Sequence, residues 1–343
     1  MSNLLIGPTL SYGKETMVKQ HKKIVIAHRG ASGYLPEHTL AAKAMAYAMG
    51  ADYLEQDLVM TRDKKIIVLH DHHLDAVTNV KDIFPNRRRK DGRYYVIDFT
   101  LAEIQTLSVS ERFHWKDGKK IAVFPDRFPL GKSNFKIHTF EDEIELVQGL
   151  NISTGRNVGI YPEIKSPAFH KSEGQDISRA VLKVLKAYGY SRKSDRVYLQ
   201  CFDPVELKHI HDDLLPEMGM ELKLVQLLEY TKEYMPFLSQ KGMKDLAKFA
   251  DGIGPDKDML VLTQSSPDAL QITPLVKAAH DAGLEIHPYT FRREKEIIPA
   301  YAKSYEDLLD IFFFQVGVDG VFTDFTDLTV NFLKEKNKDA PTK

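Results

Sequence analysis

The 343-residue chain is long enough for one large domain or two ordinary ones, and its 43% hydrophobic and 28% charged residues are typical of a globular protein. The formal net charge of −1 excludes a general binder of nucleic acid or of anionic lipid, because attracting a polyanion requires an excess of positive charge. An anion must therefore bind at a local site.

The cysteine content and the apolar runs exclude further classes of protein. Cys201 is the only cysteine, which excludes an internal disulfide and a cysteine-based zinc site. No apolar run approaches the roughly 20 residues of a membrane-spanning helix. Residues 1–23 lack the basic start and the apolar core of about 7–15 residues that secretory signals have. We predict a disordered leader or an expression remnant over 1–23; if the natural protein is exported, its signal is missing from this sequence.

From residue 24 onward, apolar β-branched runs alternate with helical patterns. The predicted strands are 24–28, 52–59, 66–70, 158–164, 196–200, 222–227, 284–289 and 319–323. The predicted helices are 38–49, 173–188, 204–214, 268–282 and 304–316, and the run 251–255 is either an extra strand or an ordered loop. Such alternation is typical of a parallel sheet with crossover helices. Eight strands indicate an α/β (β/α)₈ TIM barrel, and the first strand lacks the GxGxxG turn of a dinucleotide-binding fold.

Residues 75–137 interrupt this alternation. They contain many aromatic residues and the basic run Arg87–Lys90. We predict a subdomain inserted after the third strand, on the rim that would carry the active site, where it could shape the pocket. The basic run is predicted to be a solvated charged surface rather than an anion site. The barrel itself is predicted to span 24–333, followed by a polar tail at 334–343.

Three acidic residues stand where strands of such a barrel end. Glu55 and Asp57 are two residues apart, so they project from the same face of their strand, and Glu163 ends a later strand. Active sites of (β/α)₈ barrels lie at the carboxyl ends of the strands. Three carboxylates that converge there would repel one another unless a cation lies between them. Their oxygen atoms favour Ca²⁺ or Mg²⁺ over zinc.

Two histidines, His28 and His70, end apolar strands in the same way. One unprotonated and one protonated imidazole would serve as general base and general acid. His72 is predicted to support this pair rather than to react. No comparable argument assigns a functional role to His38. A serine nucleophile has no support, because the chain contains no GxSxG elbow.

Cationic side chains accompany these groups. Arg29 can contact a phosphoryl oxygen through its fork of donors, with Glu37 as its brace, and Lys165 supplies a point charge. Three residues that end later strands are candidates for the opposite rim of the pocket, although each would more often be structural: Gln200, Tyr289 and Phe291. The pattern as a whole predicts metal-assisted attack on an anionic ester.

Long segments around these residues resemble the glycerophosphodiester phosphodiesterase family. The matching segments are HRGASGYLPEHTL (28–40), ADYLEQDLVMT (51–61), VLHDHHLD (68–75), KDGRYYVIDFTLAEI (90–104), GIYPEIKSP (159–167), YLQCFDP (198–204), ADGIGPD (250–256), HPYTFR (287–292) and GVFTDF (320–325). The resemblance runs from about residue 24 to residue 333 and is strongest to the periplasmic or lipoprotein enzymes of Gram-negative bacteria.

This resemblance implies a phosphoric diester hydrolase that converts glycerophosphodiesters, such as glycerophosphocholine and glycerophosphoethanolamine, to sn-glycerol 3-phosphate and an alcohol. It implies metal ligation by Glu55, Asp57 and Glu163, with Ca²⁺ preferred and Mg²⁺ second. It implies His28 and His70 as the acid–base pair. Phosphate would be bound by Arg29 and Lys165.

The resemblance also implies a periplasmic or surface-lipoprotein location, while a cytoplasmic location stays open, and the expected assembly is a monomer or a homodimer. Two other functions stay open as well. A phospholipase D-like relative could use the same residues on lysophospholipids, and a surface protein that binds ligands could retain the residues without activity.

Overall fold

A computed structural model describes residues 22–339, so nearly all of the predicted leader lies outside the described residues. The strands of this part, in chain order, are β1 (Ile24–Ala27), β2 (Tyr53–Met60), β3 (Ile66–Val68), β4 (Phe113–Lys116), β5 (Lys119–Ala122), β6 (Gly159–Ile164), β7 (Tyr198–Cys201), β8 (Lys223–Leu228), β9 (Gly252–Pro255), β10 (Glu285–Ile286) and β11 (Gly320–Thr323).

Eight of these strands form a parallel barrel. Their order is β10-β9-β8-β7-β6-β2-β1-β11, and every neighbouring pair along this path is parallel. Backbone hydrogen bonds from Asp319 to Ile286 (3.0 Å) and from Phe291 to Phe322 (2.8 Å) join the two ends of the sheet. The predicted (β/α)₈ fold is confirmed.

The prediction was wrong about which run supplies the third barrel strand. Residues 66–68 form β3, which pairs antiparallel with β2 and lies outside the barrel path. Only five residues separate β2 from β3, whereas a parallel crossover needs a dozen or more. The run 251–255, predicted to be an extra strand or a loop, contains the true barrel strand β9.

The helices lie between these strands. They are α1 (Leu40–Met49), α2 (Val80–Ile83), α3 (Leu101–Thr106), α4 (Phe140–Thr154), α5 (Pro167–Ser172), α6 (Ile177–Ala187), α7 (Pro204–His209), α8 (Leu215–Met218), α9 (Gln240–Leu246), α10 (Leu275–Asp281), α11 (Tyr305–Asp310) and α12 (Thr326–Asp339). The predicted helix 268–282 is shorter than expected because it begins after Pro274, which ends the preceding loop. Helix α12 continues past residue 333 into the predicted tail, as far as Asp339.

The barrel interior is filled by aromatic side chains. Tyr161 is completely buried and stacks on Tyr198, with ring centroids 4.9 Å apart. Tyr53 and Phe322 pack edge-on against this pair. A packed interior of this kind leaves space for a ligand only at an end of the barrel.

The insertion follows the second barrel strand and its antiparallel partner β3, rather than a third barrel strand. It contains α2, α3 and the β4–β5 hairpin, and its apolar side chains form a cluster separate from the main core. Phe99 and Ile104, both completely buried, belong to that cluster. No helix of residues 22–339 combines the length and the apolar character that crossing a membrane requires.

The insertion also buries a carboxyl group, and this leads to a stability prediction. Burial, and then the charge of Glu37, raises the pKa of Glu111 to about 7. The Glu111 side chain is buried, and its Oε2 has no hydrogen-bond partner within the described residues. The folded protein therefore keeps a proton that the unfolded chain loses above about pH 4.5, so stability falls as the pH rises from about 4.5 to 7.

We expect Glu111→Gln to stabilise the protein at pH 8 by on the order of 2 kcal/mol and to have little effect at pH 4.5, because the amide removes only the cost of a buried negative charge. Urea unfolding of both proteins at the two pH values measures this difference. An equal gain in the free energy of unfolding at both pH values would show that the stabilisation does not come from removing the ionisation of Glu111.

Candidate active site

A cavity of about 290 Å³ opens at the carboxyl ends of the barrel strands. Nine of the ten predicted site residues line it: His28, Arg29, Glu55, Asp57, His70, Glu163, Lys165, Gln200 and Tyr289. The exception is Phe291, which is completely buried and packs edge-on against Phe312. Its neighbours Tyr289, Thr290 and Arg292 line the cavity, whereas the Phe291 ring lies in the apolar core.

Strand register brings the carboxylates together. Glu55 and Asp57 lie on the same inward face of β2 as Tyr53, and Asp57 pairs directly with Glu163 on β6. Lys165 lies beside this pair, with its Nζ 2.8 Å from Glu163 Oε1 and 3.6 Å from Asp57 Oδ1. Two adjacent parallel strands therefore supply all three acidic groups.

His70 reaches the same rim by a different route. Strand β2 continues beyond the barrel mouth, and β3 runs back antiparallel to it, so that the backbone N–H of Leu69 donates to the carbonyl of Asp57 at 2.9 Å. His72 does not line the cavity. Its Nδ1 lies 3.1 Å from Ser166 Oγ and its ring stacks on Phe169.

Burial and mutual repulsion disfavour the simultaneous ionisation of the three carboxylates. Burial, and then the charge of Asp57, raises the pKa of Glu55 well above its usual range. Burial also raises the pKa of Glu163 to about 8, although Lys165 opposes this. Although burial alone would raise it, Lys165 and His70 hold the pKa of Asp57 well below its usual range. A hard divalent cation would offset the repulsion among these oxygen atoms.

His38 was not predicted to belong to this group. Its Nε2 lies 2.7 Å from Asp57 Oδ2, and His38, Glu55 and Asp57 place donor atoms within 4.8 Å of one another, close enough to hold a metal ion. Burial, and then the charge of Lys43, lowers the pKa of His38 to about 3, so the ring is neutral and its N–H donates to Asp57. Because that nitrogen is engaged and His38 does not line the cavity, we assign His38 to orienting Asp57.

Arg29 is held in place by carboxylates on two sides. Its Nη1 lies 3.1 Å from both oxygens of Glu37, the predicted brace, and its Nε lies 3.6 Å from Asp57 Oδ2. Gly30 follows in a left-handed conformation (φ 85°), where a Cβ would lie 2.8 Å from the backbone of Ala42. The turn therefore requires glycine in order to present Arg29 to the cavity.

Each of the two predicted acid–base histidines is anchored through Nδ1. His28 Nδ1 lies 2.6 Å from Asp324 Oδ1, and His70 Nδ1 lies 2.6 Å from Asp71 Oδ1. Burial, and then the charge of Arg29, lowers the pKa of both imidazoles to about 4. A neutral ring beside a carboxylate carries its proton on Nδ1, which leaves Nε2 as the acceptor. Arg29 Nε lies 3.2 Å from His28 Nε2, in agreement with this tautomer.

Sequence reasoning missed the groups behind these histidines. Both aspartates could have been found from their positions in the sequence. Asp324 follows β11 in the GVFTDF segment, at the end of a strand, and Asp71 directly follows the candidate histidine His70. Arg112 and Arg127 contact these aspartates from within the insertion, and no sequence pattern indicated their role.

Comparison with known proteins shows the family to which the chain belongs. Residues 28–328 match the glycerophosphoryl diester phosphodiesterase family. A glycerophosphodiester phosphodiesterase of Haemophilus influenzae is 54% identical, with 91% of this chain and 90% of the relative covered. One from Treponema pallidum is 43% identical, with 91% and 92% covered.

Solved structures show the same fold. A glycerophosphoryl diester phosphodiesterase homologue from Silicibacter pomeroyi superposes with a TM-score of 0.65 at 25% identity, covering 92% of this chain and 95% of the other. An Oleispira antarctica phosphodiesterase, solved with its product sn-glycerol-3-phosphate, has a TM-score of 0.60 at 18% identity, with 91% and 96% covered. The chain belongs to the glycerophosphoryl diester phosphodiesterase family and is a hydrolase that acts on glycerophosphodiesters.

Proposed function

We propose that the enzyme hydrolyses small glycerophosphodiesters, such as glycerophosphocholine and glycerophosphoethanolamine, to sn-glycerol 3-phosphate and an alcohol, with a divalent cation and two histidines. The observation that carries this proposal is the cavity itself. It combines a buried carboxylate cluster, the cationic side chains of Arg29 and Lys165, and two imidazoles whose Nδ1 atoms are anchored by carboxylates.

Glu55, Asp57 and Glu163 fit a hard cation, because all three offer buried carboxylate oxygens on adjacent strands. The resemblance favours Ca²⁺, with Mg²⁺ second. When bound, the cation would neutralise negative charge on the phosphodiester and on the transition state. His38 would hold the Asp57 carboxylate through its N–H.

Arg29 and Lys165 would bind the nonbridging phosphoryl oxygens and orient the phosphorus between the two imidazoles. One imidazole removes a proton from the attacking hydroxyl through Nε2, as the new P–O bond forms. The other donates a proton to the leaving alkoxide as the old P–O bond breaks. The negative charge of the substrate favours protonation of the donor imidazole and so opposes the lowering of its pKa by burial.

One part of the cavity wall is apolar and would contact the carbon atoms of the substrate. It is formed by Phe202, Leu227, Tyr289, Ile297 and Phe322. Phe202 and Tyr289 pack edge to face with their ring centroids 5.9 Å apart. Aromatic faces of this kind suit a quaternary ammonium such as that of choline.

A coupled assay of sn-glycerol 3-phosphate release from glycerophosphocholine and glycerophosphoethanolamine tests this function. We expect turnover with both diesters and little with a long-chain lysophosphatidylcholine, because the cavity of about 290 Å³ fits a small diester. Dominant turnover of the long-chain substrate would support the phospholipase D-like alternative. Oxygen-18 labelling, with a search for cyclic phosphate, separates water from the glycerol 2-hydroxyl as the nucleophile.

Location and assembly remain parts of this proposal. The resemblance supports a periplasmic or surface-lipoprotein enzyme, acting as a monomer or a homodimer. Cell fractionation of the natural protein and sedimentation of the purified enzyme test the two statements. Recovery in the cytoplasmic fraction would contradict the first.

A further inference from the structure

Two arginines of the insertion reach the carboxylates that anchor the active-site histidines. Arg112 and Arg127 lie within residues 75–137, whereas His28 follows β1 and His70 follows β3. Each arginine contacts the carboxylate oxygen that the histidine does not use. The same three-part chain of imidazole, carboxylate and guanidinium therefore occurs twice.

On the His28 side, Asp324 is the shared carboxylate. Its Oδ1 lies 2.6 Å from His28 Nδ1, and its Oδ2 accepts from Arg127 Nη2 at 2.8 Å. Arg127 is almost completely buried, with 5% of its side chain exposed, and its Nε donates to Glu294 at 2.7 Å. A second guanidinium, Arg292, donates from Nε to the same Oδ2 at 2.7 Å.

On the His70 side, Asp71 is the shared carboxylate. Its Oδ1 lies 2.6 Å from His70 Nδ1, and its Oδ2 accepts from Arg112 Nη1 at 2.8 Å. Arg112 also donates from Nη2 and Nε to Glu37, at 2.6 and 3.0 Å. Since Glu37 holds Arg29, Arg112 is connected both to an acid–base histidine and to the phosphate-binding arginine.

We propose that Arg112 and Arg127 are positioning residues, through which the inserted subdomain holds both active-site histidines in their reactive orientation. This inference rests on the proposed function. A carboxylate that accepts from an imidazole through one oxygen and from a planar guanidinium through the other cannot rotate without breaking a hydrogen bond. The arginine also keeps the carboxylate ionised, and an ionised carboxylate holds the imidazole in the Nδ1–H tautomer.

The two sides differ in a way that the experiment can detect. Asp324 keeps Arg292 when Arg127 is removed, whereas Asp71 has Arg112 as its one guanidinium partner within residues 22–339. Arg112 also supports Arg29 through Glu37. Removing Arg112 should therefore lower kcat more than removing Arg127 does, and it should also raise KM.

The test compares Arg112→Gln and Arg127→Gln with the wild type in the sn-glycerol 3-phosphate release assay. We expect kcat to fall about 10-fold for Arg127→Gln, with KM within about 3-fold, and up to about 100-fold for Arg112→Gln, with KM raised. Arg93→Gln is the matched control, because Arg93 also lies in the insertion and pairs with Asp75 at 3.1 Å, with 44% of its side chain exposed. It should leave kcat unchanged.

Two further measurements separate positioning from a structural role. Lysine at either position restores charge but not the fork of donors, so Arg→Lys should recover only part of kcat. Added guanidinium should recover part of the kcat of Arg112→Ala or Arg127→Ala. Thermal unfolding reports the fold of each variant, and where a glutamine variant does not fold, the lysine variant at that position is judged by the same kinetic criterion.

Kcat within 2-fold of the wild type in folded variants would overturn the inference. So would a loss that guanidinium and lysine do not reverse, because it would assign the arginines to holding the insertion in place. A wild type that turns over neither diester would instead refute the proposed function, so the two failures are distinct.

Discussion

His28→Ala and His70→Ala are each expected to lower kcat by about 10²- to 10⁴-fold, because each removes an imidazole that we propose to move a proton in the reaction. Both side chains line the cavity, so their loss should leave the barrel core intact. The measurement is kcat for glycerophosphocholine, together with urea unfolding to establish that each variant is folded.

The matched control for this pair is His114→Ala. His114 lies on β4 of the insertion with an exposed side chain, away from the residues that line the cavity. We expect its kcat to equal that of the wild type. Near-normal turnover in either His28→Ala or His70→Ala would refute the acid–base assignment for that residue.

Removal of the cation is expected to have an effect of similar size. Dialysis against EDTA should abolish turnover, because without a cation the buried carboxylates repel one another and the anionic substrate. Added Ca²⁺ should restore turnover more fully than Mg²⁺, because the resemblance to the family favours Ca²⁺. Activity that survives exhaustive chelation would exclude a metal-dependent mechanism. Restoration by Mg²⁺ alone would reverse the proposed order of the two cations.

The ligand assignment is tested by Asp57→Asn and Glu163→Gln. Each should reduce activity at reduced Ca²⁺ by at least about 100-fold, since losing a ligand costs more than losing its supporting hydrogen bond. Calorimetric titration with Ca²⁺ measures the binding loss directly, without reference to turnover. Asp268→Asn, which changes an exposed carboxylate outside the cavity, is the control and should bind Ca²⁺ as the wild type does.

Much of the site could be predicted from local sequence because its acidic and basic groups are carried by short strands. Residues two apart share a face of a strand, so Glu55 with Asp57 and Glu163 with Lys165 could be placed on common faces before their neighbours were known. Because active sites of such barrels lie at the carboxyl ends of the strands, these residues could then be predicted to lie at one rim. Nine of the ten candidates do line the cavity.

Whether a strand pairs in parallel or antiparallel with its neighbour was harder to predict from the sequence. An apolar run such as 66–68 has the same composition whether its partner is parallel or antiparallel, and only the short connection from β2 indicates a hairpin. Phe291 was predicted to share the cavity-facing side of Tyr289, but its ring packs in the core against Phe312, a contact between residues 21 apart that no local pattern indicates.

The alternation of strands and helices in the barrel, and the chemical types of the groups at its rim, could be predicted locally because both depend on residues close together in the chain. Which groups orient the rim residues depends on contacts between distant parts of the chain. His28 and Asp324 are 296 residues apart, and Arg127 and Asp324 are 197 apart. Contacts over such separations leave no periodic signal, because they arise only when the barrel closes and the insertion packs on its rim.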